Sequence, residues 1–269
     1  MFTAQFNYTT PNANRSVQCA DCVRPYCLFS VIVGDYDDAL APAFRDETVD
    51  YVLITDRPTT DPSGWDRVIV VDTAADPIRQ SRYLKMHLSE FLPVTTTYDA
   101  VGYIDGNISL TGSVVGFFHE FIRSGRPIGL VPHPERNCAY QEAAAVILRH
   151  TDSDANVRRV VAYLEDHELP DNAGLFEMGF FIFRPETSAL RFFAEWWRLF
   201  EGLGNRDQLL VPCVLRQMSL DYFPLLPVPI SVRAVPSIHP SFAYRNHRPK
   251  QANSSLAVDT PNDGRSTLG

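Results

Sequence analysis

The stretch that decides the fold is YDAVGYIDGNISL, residues 98–110. Its apolar run, Ala100–Ile104, has the length and composition of a buried strand, and polar turn residues follow at once. Asp105 and Asn107 flank the flexible Gly106, so both can offer side-chain oxygens to one ligand. Open α/β sheets bind ligands outside the carboxyl ends of their strands, and hard divalent cations prefer oxygen ligands. The stretch therefore predicts a metal or ligand site at a sheet edge.

The same residues allow a second interpretation, in which no ligand is involved. Asp-Gly is a common two-residue turn of β-hairpins. Asp105 and Gly106 would then only connect a strand VGYI to a strand ISL. The rest of the chain has to decide between the two interpretations.

Apolar runs alternate with amphipathic segments on both sides of this stretch. Further strands are predicted where β-rich runs end at polar turns, at 27–33, 50–56, 67–72, 127–133 and 178–184. Helices are predicted from apolar residues at helical spacing, at 76–93, 113–124, 138–149, 155–168, 189–203 and 209–218. Nearly continuous apolar strands suit a sheet covered on both faces. The pattern predicts an α/β fold with a mostly parallel central sheet flanked by helices.

Length and composition are those of a globular protein. The chain has 269 residues, 45% of them hydrophobic and 21% charged, with a formal net charge of -8. The negative charge argues against nucleic-acid binding. No apolar run approaches the roughly 20 residues of a membrane span, and the N-terminus lacks the apolar core of a signal peptide, so a cytoplasmic location is expected. We expect an irregular arm over 1–24, one domain over 25–250 and a disordered tail over 251–269.

Five cysteines are present, and three of them form a C-x2-C-x4-C cluster at Cys19, Cys22 and Cys27. A zinc site would need a fourth ligand, and none lies nearby in the sequence. The odd total argues against a disulfide framework. The cysteines are therefore interpreted as reduced thiols.

The helix predicted at 76–93 carries Arg79, Arg82 and Lys85, which are three residues apart and share one face. Such a face is commonly just solvated. In an acidic protein, cations placed shortly before the Asp105 strand can instead hold a diphosphate.

Taken in order, the blocks resemble one family. The sequence is similar to the glycosyltransferase-like family first catalogued as domain of unknown function 616, which is related to plant pectin and mucilage galacturonosyltransferases. The matching blocks cover about residues 26–215, and they are VIVGDYD, DYVLITD, GWDRVIVVD, DPIRQSRYLKMH, YDAVGYIDGNISL, PHPERNCAYQEA, GLFEMGFFIFRP and NRDQLLVPCVL. The order of parts is also similar, more distantly, to glycogenin-like retaining enzymes.

The resemblance implies a GT-A-like nucleotide-sugar-binding fold and a role for each matched residue. Asp105 and Asn107 would hold Mn²⁺ or Mg²⁺, although Asn107 stands where a typical D-x-D motif has a second Asp. The implied nucleotide and diphosphate contacts are Gly34, Asp35, Tyr36, Arg82, Lys85, His133 and Arg136. The implied catalytic residues are Glu177, Asp207 and Gln208, with Tyr140 and Glu142 completing the His133 block. A third metal ligand could be His239 or His247.

The implied activity is that of a hexosyltransferase that moves a sugar from a UDP-sugar to a glycan or small-molecule acceptor, with retention of configuration by analogy alone. One alternative is a non-catalytic nucleotide- or sugar-binding protein on a decayed GT-A scaffold. A hydrolase using Glu135 or Glu142 with His133 is a third hypothesis, but no nucleophile elbow or metalloprotease motif accompanies these residues. Single members of the set also have purely structural interpretations that involve no ligand: Arg136 and Glu142 as an ion pair, and Asp207 as a helix cap.

Overall fold

The computed structural model describes residues 7–9, 24–35, 37, 40–57, 63–204, 206–233 and 240–246. The strands in these ranges are β1 (Asn7–Thr9), β2 (Tyr26–Ile32), β3 (Val49–Thr55), β4 (Arg67–Val70), β5 (Ala100–Ile104), β6 (Ile108–Leu110), β7 (Ile128–Pro132), β8 (Phe176–Phe183), β9 (Tyr222–Pro224) and β10 (Phe242–Tyr244). The α-helices are α1 (Pro77–Met86), α2 (Val94–Thr97), α3 (Val115–Ser124), α4 (Ala139–Leu148), α5 (Asp154–Asp166), α6 (Thr187–Leu203) and α7 (Val211–Gln217). Two 3₁₀ turns cover Leu88–Glu90 and Asp207–Leu210.

Eight strands form one sheet in the order β1-β4-β3-β2-β5-β8-β7-β9. Strands β4, β3, β2 and β5 are parallel neighbours. Strand β8 runs antiparallel to both β5 and β7, and β1 runs antiparallel to β4. The remaining strand, β9, is parallel to β7. The predicted α/β class with a mostly parallel sheet is therefore confirmed, with β1 and β8 as the reversed strands.

The central strands are buried on both faces, which is why their sequences are apolar throughout. All eight residues of β8 are buried. Successive residues of a strand point to opposite faces, so two cores form. On one face Tyr103 and Phe181 pack with Trp196 of α6, and on the other Ile104 packs with Phe118 of α3.

The hairpin interpretation of Asp105-Gly106 is wrong. Strand β6 pairs with β10 in a separate two-stranded sheet and not with β5. The chain does turn tightly, because the N–H of Ile108 donates to the carbonyl of Asp105 at 2.9 Å. This turn directs the chain out of the main sheet after β5.

The first predicted helix is shorter than expected. It begins as expected, with Asp76 accepting the N–H of Arg79 and Pro77 in the first turn. It ends at Met86 and not near 93, since His87 leaves the helical conformation with φ -118° and ψ 33°. The 3₁₀ turn Leu88–Glu90 then brings Leu88 into the core.

The segments outside the predicted domain are only partly described. Within the expected N-terminal arm, β1 pairs with β4 in antiparallel register. The expected tail, 251–269, lies outside the described residues. Over the described ranges, none of the helices combines the length and the apolar character that crossing a membrane requires.

The junction between β2 and α1 requires glycine at position 34. Gly34 has φ +75°, and a Cβ there would lie 2.1 Å from Cβ of Pro77. Gly125 has a similar φ of +69°, but a Cβ there would meet nothing within 4 Å.

Gly125→Ala should therefore cost about 1 kcal/mol in unfolding free energy through backbone strain alone. Gly34→Ala should cost clearly more, because the start of α1 must also shift; equal losses in urea unfolding of the two variants would contradict the close approach.

Candidate functional site

Polar residues follow four parallel strands at one edge of the sheet. Asp35, Asp56, Asp105 and His133 follow β2, β3, β5 and β7, and these strands all run in the same direction. Their carboxyl ends therefore share an edge, where ligand crevices form in open α/β sheets. Asp35 and Asp105, on adjacent parallel strands, lie at that same edge.

Glu177 reaches this edge because β8 is reversed. In the sequence it seemed to precede its strand, away from the other strand ends; in the structure it is the second residue of β8. The amino end of an antiparallel strand lies beside the carboxyl ends of its neighbours. Glu177 is accordingly paired with Val131, next to the end of β7.

Asp105 is half-buried and held by its neighbours. Its Oδ1 accepts a 2.7 Å hydrogen bond from the hydroxyl of Tyr103, and its N–H donates to the carbonyl of Gly179 at 2.8 Å. A Cβ at position 179 would lie 3.1 Å from Asp105 Oδ2, so glycine leaves room for the carboxylate. The carboxylate thus has a fixed orientation at the sheet edge.

Asn107 is more buried than its predicted role requires, with 5% of its surface exposed. Its side-chain N–H donates to the backbone carbonyl of Arg245 at 3.1 Å, and its backbone carbonyl accepts the N–H of Arg245 at 2.9 Å. Part of the Asn107 amide is therefore used to hold the segment around β10.

Asp207 and Lys85 form a buried ion pair under the edge. Asp207 Oδ2 lies 3.5 Å from Lys85 Nζ and 3.0 Å from Arg82 Nε. Lys85 is 3% exposed and also donates to the carbonyl of Met178 at 2.8 Å. Arg82 stays partly exposed. The two predicted diphosphate cations thus differ, since Arg82 reaches the surface and Lys85 lies in the interior.

Aromatic rings enclose the Lys85 ammonium. Its Nζ lies 4.6 Å from the ring centre of Tyr103, 5.4 Å from that of Trp196 and 5.7 Å from that of Phe181. Cation–π attraction of this kind is stronger away from water. Because Tyr103 also binds Asp105, contacts run without a break from Asp105 through Tyr103, Lys85 and Asp207 to Arg82.

The pKa values follow from this burial and pairing. Burial alone would raise the pKa of Asp207, but Arg82 and Lys85 outweigh it, and the pKa lies below its ordinary value. Burial lowers the pKa of Lys85, against the opposing effect of Asp207. Burial raises the pKa of Tyr103 well above its usual range, and the Asp105 charge adds to this. Asp207 is therefore ionised and Tyr103 is a hydrogen-bond donor at neutral pH.

The interpretation of Asp207 as a helix cap is wrong. The cap position of the 3₁₀ turn is occupied by Arg206, and Asp207 is the first residue of the turn itself. Its side chain points to Arg82 and Lys85. Gln208, its predicted partner toward the sugar, donates to the carbonyl of Phe176 at 2.7 Å. Both side chains bind protein groups.

Glu177 holds a loop. Its Oε1 accepts the hydroxyl of Ser231 at 2.7 Å, and its Oε2 accepts the N–H of Val232 at 3.0 Å. Burial raises the pKa of Glu177, and these two hydrogen bonds oppose the shift. Glu177 therefore connects β8 to the segment that follows β9.

The block after β7 forms its own network. Arg136 Nε donates to Glu142 at 2.7 Å, which is the ion pair that the purely structural interpretation predicts. His133 Nδ1 accepts the N–H groups of Glu135 and Arg136, both at 3.2 Å. Burial, and then the Arg136 charge, lower the pKa of His133, so the imidazole is neutral at pH 7. Tyr140 donates to the carbonyl of Leu169 at 2.9 Å.

Two bonds join the ends of β2 and β3. The Gly34 N–H donates to Asp56 Oδ2 at 2.9 Å, and Asp35 pairs with Arg57 at 2.5 Å on the surface. Asp35 itself has φ +56°. Tyr36, the third residue predicted here, lies outside the described residues.

A divalent metal fits this edge in part. Mg²⁺ is commonly bound by one or two protein oxygens together with waters and substrate phosphates. Asp105 supplies a half-exposed carboxylate, whereas Asn107 is 5% exposed and its side-chain N–H is bound to the carbonyl of Arg245. In the part of the chain with described side chains, no three His, Cys, Asp or Glu groups are gathered closely enough to hold a metal. His239 and His247, the predicted third ligands, lie outside that part.

Sequence reasoning missed Tyr103, although a signal was present. Residues two apart on a strand share a face. Tyr103 therefore had to lie on the same side of β5 as Asp105, within reach of its carboxylate. The reach of Lys85 toward Asp207 had no such signal, because the two are far apart in the sequence.

Asp207→Asn should destabilise the protein, contrary to what a cap would predict. The change leaves the Lys85 ammonium buried without its counter-ion, which costs about 3–5 kcal/mol of unfolding free energy. Adding Lys85→Met to Asp207→Asn should restore most of this loss, since neither buried charge then remains. Denaturant unfolding measures Asp207→Asn, Lys85→Met and the double variant. A double variant that is less stable than either single variant would refute the pairing.

Comparisons with known proteins give matches among solved structures, but none to a family model or to a curated protein. Among solved structures, the chain is similar to mouse xyloside xylosyltransferase 1 in its apo form, with 11% sequence identity. That match covers 74% of this chain and 84% of the other, with a TM-score of 0.43. At this level of similarity the structural match is no evidence for a particular activity, substrate or metal.

Proposed function

We propose that the protein is a nucleotide-sugar-dependent glycosyltransferase with a GT-A-like site at the carboxyl edge of its sheet. The observation that supports this most directly is the oriented carboxylate of Asp105 at that edge, joined by contacts to the partly exposed Arg82. A nucleotide sugar presents a diphosphate that needs positive charge and a sugar that needs polar contacts. An oxygen ligand for a divalent metal and a nearby guanidinium meet the first requirement.

Each matched residue then has a role in binding or orientation. Arg82 binds the departing diphosphate, while Asp207, which is itself paired with Lys85, fixes the position of its guanidinium. Tyr103 orients Asp105 through its hydroxyl. Gly34 and Asp35, after β2, contact the nucleoside. His133 and Arg136 border the same edge from β7.

Mn²⁺ or Mg²⁺ would be held by Asp105 and Asn107, with the donor phosphates and water completing the coordination. When bound, the metal supplies positive charge to the leaving diphosphate. The Asn107 amide carries no charge, so this chain depends on Asp105 for its charged protein ligand.

The finer assignments rest on the sequence resemblance. It supports a UDP-sugar donor, a glycan or small-molecule acceptor, and hexosyl transfer with retention of configuration. Asp207 is buried, and the half-buried Gln208 donates to the carbonyl of Phe176, so both residues have a supporting role in the proposal in place of a direct contact with the sugar.

A panel of nucleotide sugars, each tested with and without Mn²⁺, examines the proposal directly. A ligand that binds only the folded state at about 100 times its Kd adds about 2.7 kcal/mol of stability. We expect one nucleotide sugar to raise the melting temperature more in the presence of Mn²⁺ and to release its nucleoside diphosphate over time. Stabilisation without release would favour the non-catalytic binding protein, and no stabilisation by any donor would reject both.

Asp105→Asn should strongly reduce donor turnover while the fold persists. The Asn side chain still accepts from Tyr103, but the charge at the edge is lost, so donor turnover should fall by about a hundredfold or more. Asp99→Asn is the matched control, because Asp99 is an exposed carboxylate at the other end of β5. Turnover and melting temperature are measured on both variants. Equal turnover in Asp105→Asn and Asp99→Asn would show that Asp105 only forms the turn after β5 and takes no part in the reaction.

A further inference from the structure

The chain after β9 returns across the site edge. We call residues 225–233 and 240–246 the C-terminal strap. Glu177 binds it at Ser231 and Val232, and Asn107 binds it at Arg245. The β6–β10 pairing fixes its far end. Glu177, which was predicted to face the sugar, and Asn107, which was predicted to bind the metal, therefore hold this strap at the site.

The strap carries a further cation, Arg233. Ser231 connects it to Glu177, since the Ser231 hydroxyl donates to Glu177 at 2.7 Å and accepts the N–H of Arg233 at 3.0 Å. The guanidinium carbon of Arg233 lies 5.8 Å from the ring centre of Tyr244, on the other half of the strap. Arg233 is thus fixed at both its backbone and its side chain.

The charge of Arg233 acts on the site. Burial raises the pKa of Glu177, and Arg233 is one of the groups that oppose this shift. Burial and Arg136 lower the pKa of His133, and Arg233 adds to that effect. Arg233 is nevertheless solvent-exposed, and within the described ranges it forms no ion pair at 4.0 Å or less. An exposed guanidinium beside a ligand edge is suited to a planar oxyanion.

We propose that Arg233 is an anion-binding residue of the site, taking a phosphate oxyanion of the ligand, and that Glu177 and Ser231 are the positioning residues that hold it there. The inference rests on the proposed function for the identity of the ligand as a nucleoside diphosphate. The chemistry is wider, since any diphosphate offers the same oxyanions.

Calorimetric titration with UDP and, separately, with inorganic pyrophosphate tests this, both in the presence of Mn²⁺. Arg233→Ala should weaken binding of each by about 10- to 100-fold, the scale of one charge-assisted hydrogen bond. Arg123→Ala is the matched control, because it removes the same charge from an exposed arginine on α3 that pairs with Glu120. It should leave both affinities unchanged.

The positioning role has its own measurement. Ser231→Ala removes the link between Glu177 and Arg233 and should weaken UDP binding through Arg233 alone. Ser231→Ala combined with Arg233→Ala should then bind UDP about as weakly as Arg233→Ala. Additive losses in the double variant would show that Ser231 acts on the site by another route and would overturn its positioning role.

The outcomes separate this inference from the proposed function. Wild-type binding of UDP with unchanged affinity in Arg233→Ala overturns the inference and leaves the glycosyltransferase proposal standing. The wild-type protein could instead bind pyrophosphate but not UDP, with pyrophosphate affinity lost in Arg233→Ala and kept in Arg123→Ala. That result supports the anion site and counts against the nucleotide-sugar donor. A wild-type protein that binds neither anion overturns both.

Discussion

One buried ammonium group constrains the arrangement of the site. Lys85 lies beneath the sheet edge at 3% exposure, and a charge in such a place is tolerated only with a close counter-ion and hydrogen bonds. Asp207 and the carbonyl of Met178 supply these. The ion pair and this hydrogen bond bring together α1, β8 and the 3₁₀ turn Asp207–Leu210. The positions of these three elements beneath the site are therefore constrained by the partners that the buried Lys85 ammonium requires.

The consequences of this pair extend to the surface in two directions. Through Asp207 it fixes Arg82, and through the ring of Tyr103 it supports the residue that orients Asp105. A carboxylate and a guanidinium are thereby held at one edge by groups that are themselves buried. Pre-organisation of this kind is what electrostatic stabilisation of a departing diphosphate requires. The C-terminal strap, held by Glu177 and Asn107, adds the charge of Arg233 to the same edge.

Much of the fold could be predicted from the sequence, because local patterns determine it. The strand Ala100–Ile104 was predicted at its observed bounds, and so was the Asp76-Pro77 start of the first helix. The reversal of β8 could not be predicted, since a continuous apolar strand is buried on both faces whichever way it runs. That reversal is what places Glu177 at the site edge.

The candidate residues could be placed at strand ends from the sequence, but the contacts of their side chains could not. Asp105 at the end of β5 followed from one strand and one turn. The roles of Lys85, Asp207, Glu177 and Asn107 depend on partners that are remote in the sequence, from Met178 to Arg245, and no local pattern contains them. A polar residue in a motif block can bind a ligand or hold the wall behind it, and only the tertiary contacts distinguish the two.

The central claim is that the carboxyl edge of the sheet binds a nucleoside diphosphate between Asp105 and Arg82. A crystal structure determined with UDP and Mn²⁺ tests it most directly. We predict that the diphosphate lies at this edge within hydrogen-bonding distance of Arg82, with the metal on Asp105. A nucleotide bound elsewhere on the molecule, with Asp105 in contact with neither metal nor phosphate, would contradict the account.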